Sequence, residues 1–174
     1  PYEITFRPLR IRNAERQREM AGPSAFEQSM LEMINHFRLD PAGEFDRMIR
    51  DAASGEALDP DTTAAITYFG VDLDVLAQEL AALSAVQPLA WNARLASAAE
   101  GHSAQMQSQD TPSHQLPGEP SLGERVSDAG YGYRRVAENI YAYAESPRHG
   151  QDGFVIDWGQ GPDGMQDPRG HRDA

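Results

Sequence analysis

The residue types that could carry chemistry in this chain are histidines and carboxylates. The sequence of 174 residues contains five histidines and 27 acidic residues, and it has no cysteine. The lack of cysteine excludes disulfides, thiolate metal sites and cysteine nucleophiles. No G-x-S-x-G motif is present to expose a nucleophilic serine on a sharp turn. What remains is imidazole and carboxylate chemistry, which suits divalent cations or general acid–base catalysis.

Several of these residues have simple structural interpretations. His102 lies on the apolar face of a predicted helix, where a hydrogen-bonded core or cleft-edge histidine is commoner than a ligand. His36 and His149 are predicted to be surface residues. Glu100 and Glu124 are most simply solvated charges on helices.

The loop at residues 159–170 holds four glycines, two prolines and the carboxylates Asp163 and Asp167. Pro-Asp-Gly and Asp-Pro are first of all turn sequences. Carboxylates and carbonyls in a glycine-rich loop also suit Ca²⁺, but the spacing does not match an EF-hand loop. Calcium is therefore a weak alternative at this loop.

Composition and charge narrow the class of protein. The length and an apolar content of 40% favour one domain with a sizeable core. The net charge of −12 repels phosphate, so nucleic acid and anionic membranes are not expected partners. No run approaches the ~18 apolar residues of a membrane span. No signal peptide is visible either, and we expect any export signal to lie outside this sequence.

Cap residues and apolar periodicity predict a helix-rich chain. Ser24 and Glu27 have the spacing of a capping box, followed by apolar residues at helical intervals. A strand is predicted at residues 136–143, which are rich in tyrosine, valine and isoleucine. A short helix is predicted near 122–129, ending at Gly130. The other predicted helix starts are Asp40-Pro41, Asp59-Pro60, Asp72, Asn92 and Ser146-Pro147.

Several motifs, in this order along the chain, resemble the bacterial branch of the CAP superfamily of cysteine-rich secretory, antigen 5 and pathogenesis-related proteins. The helix from Phe26 resembles its E-x-x-x-L-x-x-I-N-x-x-R motif, and Pro88 opens a match to L-x-W-N-x-x-L-x-x-A-A. Further along the chain, Ser113-His114 matches S-H, residues 125–131 match R-x-x-x-A-G-Y, and residues 137–140 match G-E-N-I. Trp158 matches the family's W, and residues 170–172 match G-H-R.

The resemblance implies an α+β fold, an α-β-α sandwich. Residues 1–23 have no clean apolar period and are predicted to form a peripheral N-terminal arm. The resemblance places the CAP domain at 24–174, with an insertion around 51–87. The chain departs from the family where Ala137 replaces the usual glycine. It also ends before the family's last strands, so we expect a further segment or a second chain to complete the sheet.

The resemblance also implies a site. His114 and Glu138 match the first histidine and first acid of the family's cavity. His171 is the candidate second histidine, and Asp157 is a candidate second acid on position alone. Two imidazoles and a carboxylate suit Zn²⁺ or another divalent cation with an open fourth position. The alternative is a hydrogen-bonded network that braces the loops, and Asn139 is expected to have such a structural role.

Three functions stay open at this point. The first is a secreted, extracellular or periplasmic, non-enzymatic domain whose His/Glu cleft binds a divalent cation or small ligand. The second is a metal-dependent hydrolase in which Glu138 or His114 acts as general base toward a metal-bound water. The third is a structural or adhesion module with a vestigial cavity.

Overall fold

The structure, a computed structural model, describes residues 22–142 and 144–174. Residues 1–21, which make up most of the predicted N-terminal arm, lie outside the described residues. The described elements are α1 (Ala25–Leu39), α2 (Pro41–Met48), β1 (Ile49–Asp51), β2 (Glu56–Ala57), α3 (Pro60–Phe69), α4 (Leu73–Ala82), α5 (Ala93–Gln109), α6 (Leu122–Asp128), α7 (Pro147–Ile156) and α8 (Gly170–Asp173).

Side-chain caps start the helices at the positions that the sequence predicts. Ser24 and Glu27 form the predicted capping box at the start of α1. A second capping box, of Ser121 and Glu124, starts α6, which ends just before Gly130 with its φ of 79°. Each cap satisfies backbone N–H groups that lack a partner within the helix. The other predicted caps that accept such hydrogen bonds are Asp40, Asp59, Asp72, Asn92 and Ser146.

The main apolar core lies between α2, α3, α4 and α7. Helix α2 packs against α4, and α7 packs against α1 and α3. Residues 51–87, predicted as an insertion, contribute Ile66, Leu76 and Leu80 to this core. The segment is therefore an integral part of the packing. The other buried members are Met48, Ile49, Ala57, Val71, Leu73, Val155, Ile156 and Met165.

Sheet structure is small in the described part of the chain. β1 and β2 form an antiparallel ribbon with Ile49 opposite Ala57, and Trp158 forms an isolated bridge with Met165. The prediction of a strand at residues 136–143 was wrong for residues 136–142, which pair with no described strand. Tyr143 lies outside the described residues. A strand needs a partner for its ladder of hydrogen bonds. The described residues are helix-rich, and they do not confirm the sandwich.

A buried polar junction ties α7 to α2 and α3. Arg148 Nη2 lies 3.0 Å from Glu44 Oε1, and Arg148 Nε lies 3.0 Å from Asp152 Oδ1. The Thr62 hydroxyl donates to Asp152 Oδ2 at 2.9 Å. Burial raises the pKa of Asp152 to about 6; the Arg148 charge and the Thr62 hydrogen bond oppose this shift, and the nearby charges of Asp59 and Glu44 add to it.

This raised pKa predicts a specific dependence of stability on pH. The folded protein binds the Asp152 proton more tightly than the unfolded chain does, so binding of this proton stabilises the fold. This stabilisation is present at pH 4 and is lost as the pH rises through 6. Relative to Asp152→Asn, the unfolding free energy of the wild type should be about 2 kcal/mol higher at pH 4 than at pH 7. Urea unfolding at both pH values measures it.

Asp46→Asn is the control for the loss of one carboxylate, since Asp46 is exposed on α2. A wild-type minus Asp152→Asn difference that stays constant between pH 4 and 7 would contradict the buried position of Asp152.

Candidate functional site

Glu138 is held by the guanidinium of Arg125. Helix α6 carries Arg125, whose Nη1 donates to Glu138 Oε2 at 3.1 Å and whose Nη2 donates to Glu138 Oε1 at 3.2 Å. Arg125 Nη2 also donates to the backbone carbonyl of His114 at 3.2 Å. The Arg125 side chain is 7% exposed and that of Glu138 is 14% exposed, so this two-point pair is largely shielded from water.

His102 and Glu119 form the buried half of the same network. His102 Nδ1 lies 2.7 Å from Glu119 Oε1, and the Leu116 backbone N–H donates to Glu119 Oε2 at 3.3 Å. Burial acts to raise the pKa of Glu119, but the hydrogen bonds from His102 and Leu116 and the Arg125 charge outweigh it, so the pKa is lowered. An ionised carboxylate only accepts, so the shared hydrogen belongs to His102 Nδ1.

The other ring nitrogen of His102, Nε2, lies on the side of Glu138. It lies 3.8 Å from Glu138 Oε1, beyond hydrogen-bond distance, and no described group reaches it. The predicted position of His102 in the core or at the cleft edge agrees with its 2% exposed side chain, but only Nδ1 of the ring has a hydrogen-bond partner among the described residues. Among the described residues of α5, only His102 is buried.

His114 is the exposed member of the network. Its Nδ1 lies 3.1 Å from Glu138 Oε1, while its side chain is 62% exposed. The structure therefore brings together two of the three predicted site residues, His114 and Glu138. Their contact is accessible to a molecule arriving from solvent.

His171 lies in a second polar cluster. Its Nδ1 is 2.7 Å from Asp157 Oδ1, and its backbone N–H donates to Asp157 Oδ2 at 3.0 Å. Asn139 Nδ2 donates to the His171 carbonyl at 2.8 Å, and the ring of Phe154 stacks on the imidazole at 5.9 Å. Asn139 thus links the 136–142 segment to α8, in agreement with its predicted structural role.

The predicted ligands do not fit a divalent cation as they are arranged. Arg125 donates to both carboxylate oxygens of Glu138, and His171 is hydrogen-bonded to Asp157. Across residues 22–142 and 144–174, no group of three histidine or acidic side chains is placed to hold an ion. Binding of Zn²⁺ or another divalent cation remains a prediction.

The loop proposed as a weak calcium site is tied to neighbouring elements. The Asp163 carbonyl accepts from the Asp72 backbone N–H at 2.9 Å, and Asp163 Oδ2 lies 3.7 Å from Arg169. Asp167 precedes a proline in a cis peptide bond. These contacts are those of a structural turn, and calcium binding remains an untested prediction.

His149 was wrongly predicted to lie on the surface. It is 8% exposed on α7, where its Nε2 lies 3.1 Å from the Tyr141 hydroxyl and its backbone N–H donates to Ser146 Oγ at 3.0 Å. Gly153, one turn further along α7, lets the ring of Trp158 approach closely. The aromatic side chains of Tyr141 and Trp158 therefore cover His149.

The sequence analysis missed the part that Glu119 and Arg125 take in this polar network. Arg125 was noted as the first residue of the R-x-x-x-A-G-Y motif, and that position on a capped helix was the available signal. Glu119 sits in a Pro-Gly-Glu-Pro turn five residues after His114. A carboxylate in such a turn is expected to be solvent-exposed, but Glu119 is only 8% exposed.

A cleft of about 370 Å³ opens beside Glu138 and His102. It runs between α1, α5, α7 and residues 138–142. A volume of this size is typical of small-molecule sites. Its apolar lining comes from Phe26, Met30, Ala99, Met106, Ile140, Tyr141, Ala142, Ala144 and Phe154.

A family model described as CAP, the cysteine-rich secretory protein family, matches residues 31–174. The chain therefore belongs to the CAP family, and the recognition of this superfamily from its motifs is confirmed. The family's fold is the α-β-α sandwich. No curated protein and no solved structure matches the chain significantly.

The network makes a testable prediction about Arg125. Arg125→Met should lower the unfolding free energy by about 3 kcal/mol at pH 7, because it leaves the Glu119 and Glu138 carboxylates close together without their counter-charge. Urea unfolding measures the change. Arg134→Met, at an exposed position, is the control for removing one arginine. Equal small losses in both variants, within about 0.5 kcal/mol, would contradict the network.

Proposed function

We propose that this CAP domain is a non-enzymatic binding module whose ligand lies in the cleft beside Glu138. The observation that carries the proposal is the placement of Glu138 by Arg125 at the polar end of a largely apolar cleft. A carboxylate fixed in this way orients a ligand without needing to move.

The polar end of the cleft favours a ligand that donates hydrogen bonds. The carboxylate of Glu138 accepts hydrogen bonds, and it is 14% exposed. His102 also lines the cleft, and its Nε2 has no hydrogen-bond partner among the described residues. Together with the apolar walls, this favours a small molecule with an apolar body and a hydroxyl or amine head.

The hydrolase alternative has less support. Its general base would be Glu138 or His114, and a general base must come within hydrogen-bond distance of the proton that it removes. The Arg125 guanidinium fixes Glu138 through both carboxylate oxygens, and His114 Nδ1 lies 3.1 Å from Glu138 Oε1. These contacts favour a positioning role for both side chains over a catalytic one.

The proposed location is extracellular or periplasmic. CAP family members are typically secreted, and the net charge of −12 disfavours contact with nucleic acid or anionic lipid. Among the residues that the structure describes, no helix is both long and apolar enough to cross a membrane.

A chemical-shift titration with 1-hexanol tests the proposal. We expect saturable shifts of backbone amides in α5 and residues 138–142, with a dissociation constant on the order of millimolar for so small a probe. Ser103→Trp should abolish these shifts, because Ser103 is exposed at the cleft and an indole there fills it. Gln109→Trp, at the exposed end of the same helix, is the matched control.

Two outcomes would count against this function. Binding of 1-hexanol that survives in Ser103→Trp would place the ligand elsewhere. Micromolar Zn²⁺ binding by calorimetry, lost in His114→Ala, would instead establish the metal site that the sequence predicted. His114→Ala is suited to this arm because the exposed imidazole contributes little to packing.

A further inference from the structure

A second cleft, of about 340 Å³, lies between α1, α7, α8 and residues 137–139. It is distinct from the cleft beside His102, although Glu138, Asn139 and Phe154 border both. The residues that form its apolar walls are Ile34, Phe37, Leu89, Ala137, Phe154 and Val155.

Most polar side chains around this second cleft already have partners. Arg38 Nε donates to the Gln87 carbonyl at 2.9 Å, and Arg172 Nε donates to the Val155 carbonyl at 2.6 Å. Asn139 Nδ2 donates to the His171 carbonyl. None of these groups needs a ligand to satisfy it.

Gln151 is the exception. It lies on α7 and lines the cleft, the residue is 1% exposed, and no described hydrogen-bond donor reaches its Oε1. Its side chain makes no hydrogen bond to any other described residue. Buried amide groups nearly always have a partner, because losing hydration without a replacement hydrogen bond is costly. An unpaired amide among apolar walls therefore points to a ligand that supplies the missing hydrogen bond.

The chemistry of an amide defines the ligand. Gln151 offers one acceptor and two donor hydrogens, and a half-turn of its amide exchanges them. A ligand that both donates and accepts at adjacent atoms satisfies either orientation. A carboxamide does this with its own N–H and C=O, and an apolar group attached to it would contact the cleft walls.

We propose that the cleft between α1, α7 and residues 137–139 binds small apolar carboxamides through a paired amide–amide hydrogen bond to Gln151. The interaction does not involve the Arg125 network, so this site can be present whether or not the cleft beside His102 binds a ligand. The walls select for the apolar group, and Gln151 selects for the amide.

Benzamide and acetophenone test this on the wild-type protein. The two probes are nearly isosteric, but acetophenone replaces the amide NH₂ by a methyl group and keeps only the acceptor. We expect benzamide to shift backbone amides around Ile34, Ala137 and Val155 in NMR titrations. Acetophenone should bind about tenfold more weakly, the usual effect of losing a neutral hydrogen bond.

Gln151→Leu provides the second test, since leucine nearly conserves volume and removes the unpaired amide. The variant's affinity for benzamide should fall more than its affinity for acetophenone, because benzamide loses two hydrogen bonds to Gln151 and acetophenone loses one. Gln105→Leu, at an exposed position on α5, is the control variant.

Equal affinities of the wild type for the two probes would overturn the proposal, even if Gln151→Leu failed to fold. So would benzamide shifts confined to α5, or full benzamide affinity in Gln151→Leu. A loss of 1-hexanol binding in Ser103→Trp with benzamide binding intact would separate this site from the proposed function.

Discussion

The largely shielded ion pair between Arg125 and Glu138 is the interaction on which the site depends. The main apolar core lies among α2, α3, α4 and α7, and α5 contributes none of its buried members. Helix α5, α6, the 113–119 loop and the 136–142 segment instead meet at the polar network of His102, Glu119, Arg125 and Glu138. A buried guanidinium needs the opposite charges of its neighbouring carboxylates, because an unpaired buried charge is far more costly than the pair is favourable.

Consecutive residues of the 136–142 segment contact different parts of the molecule. Glu138 pairs with Arg125 and His114, and the next residue, Asn139, donates to the His171 carbonyl. One short segment therefore joins α6 and the His114 loop to α8. This explains why two clefts border the same segment, and why a polar group lies at the edge of each cleft.

The sequence predicted local features well and contacts between distant residues poorly. Ser24, Asp72 and Asn92 act on N–H groups two or three residues away, so their spacing alone shows their role. The pairing of His102 with Glu119 spans 17 residues and that of Arg125 with Glu138 spans 13. Neither pairing has a periodic signature. Motif resemblance selected His114 and Glu138, but it placed His171 with them, although His171 binds Asp157.

A double-mutant cycle on Arg125 and Glu138 tests the central claim most directly. Unfolding free energies of Arg125→Met, Glu138→Gln and the double variant, measured in urea at pH 7, give the coupling between the two side chains. A shielded two-point ion pair predicts a coupling of about 2 kcal/mol or more. A coupling near zero would show that the two side chains act independently, and it would contradict the placement of Glu138 on which the proposed binding site depends.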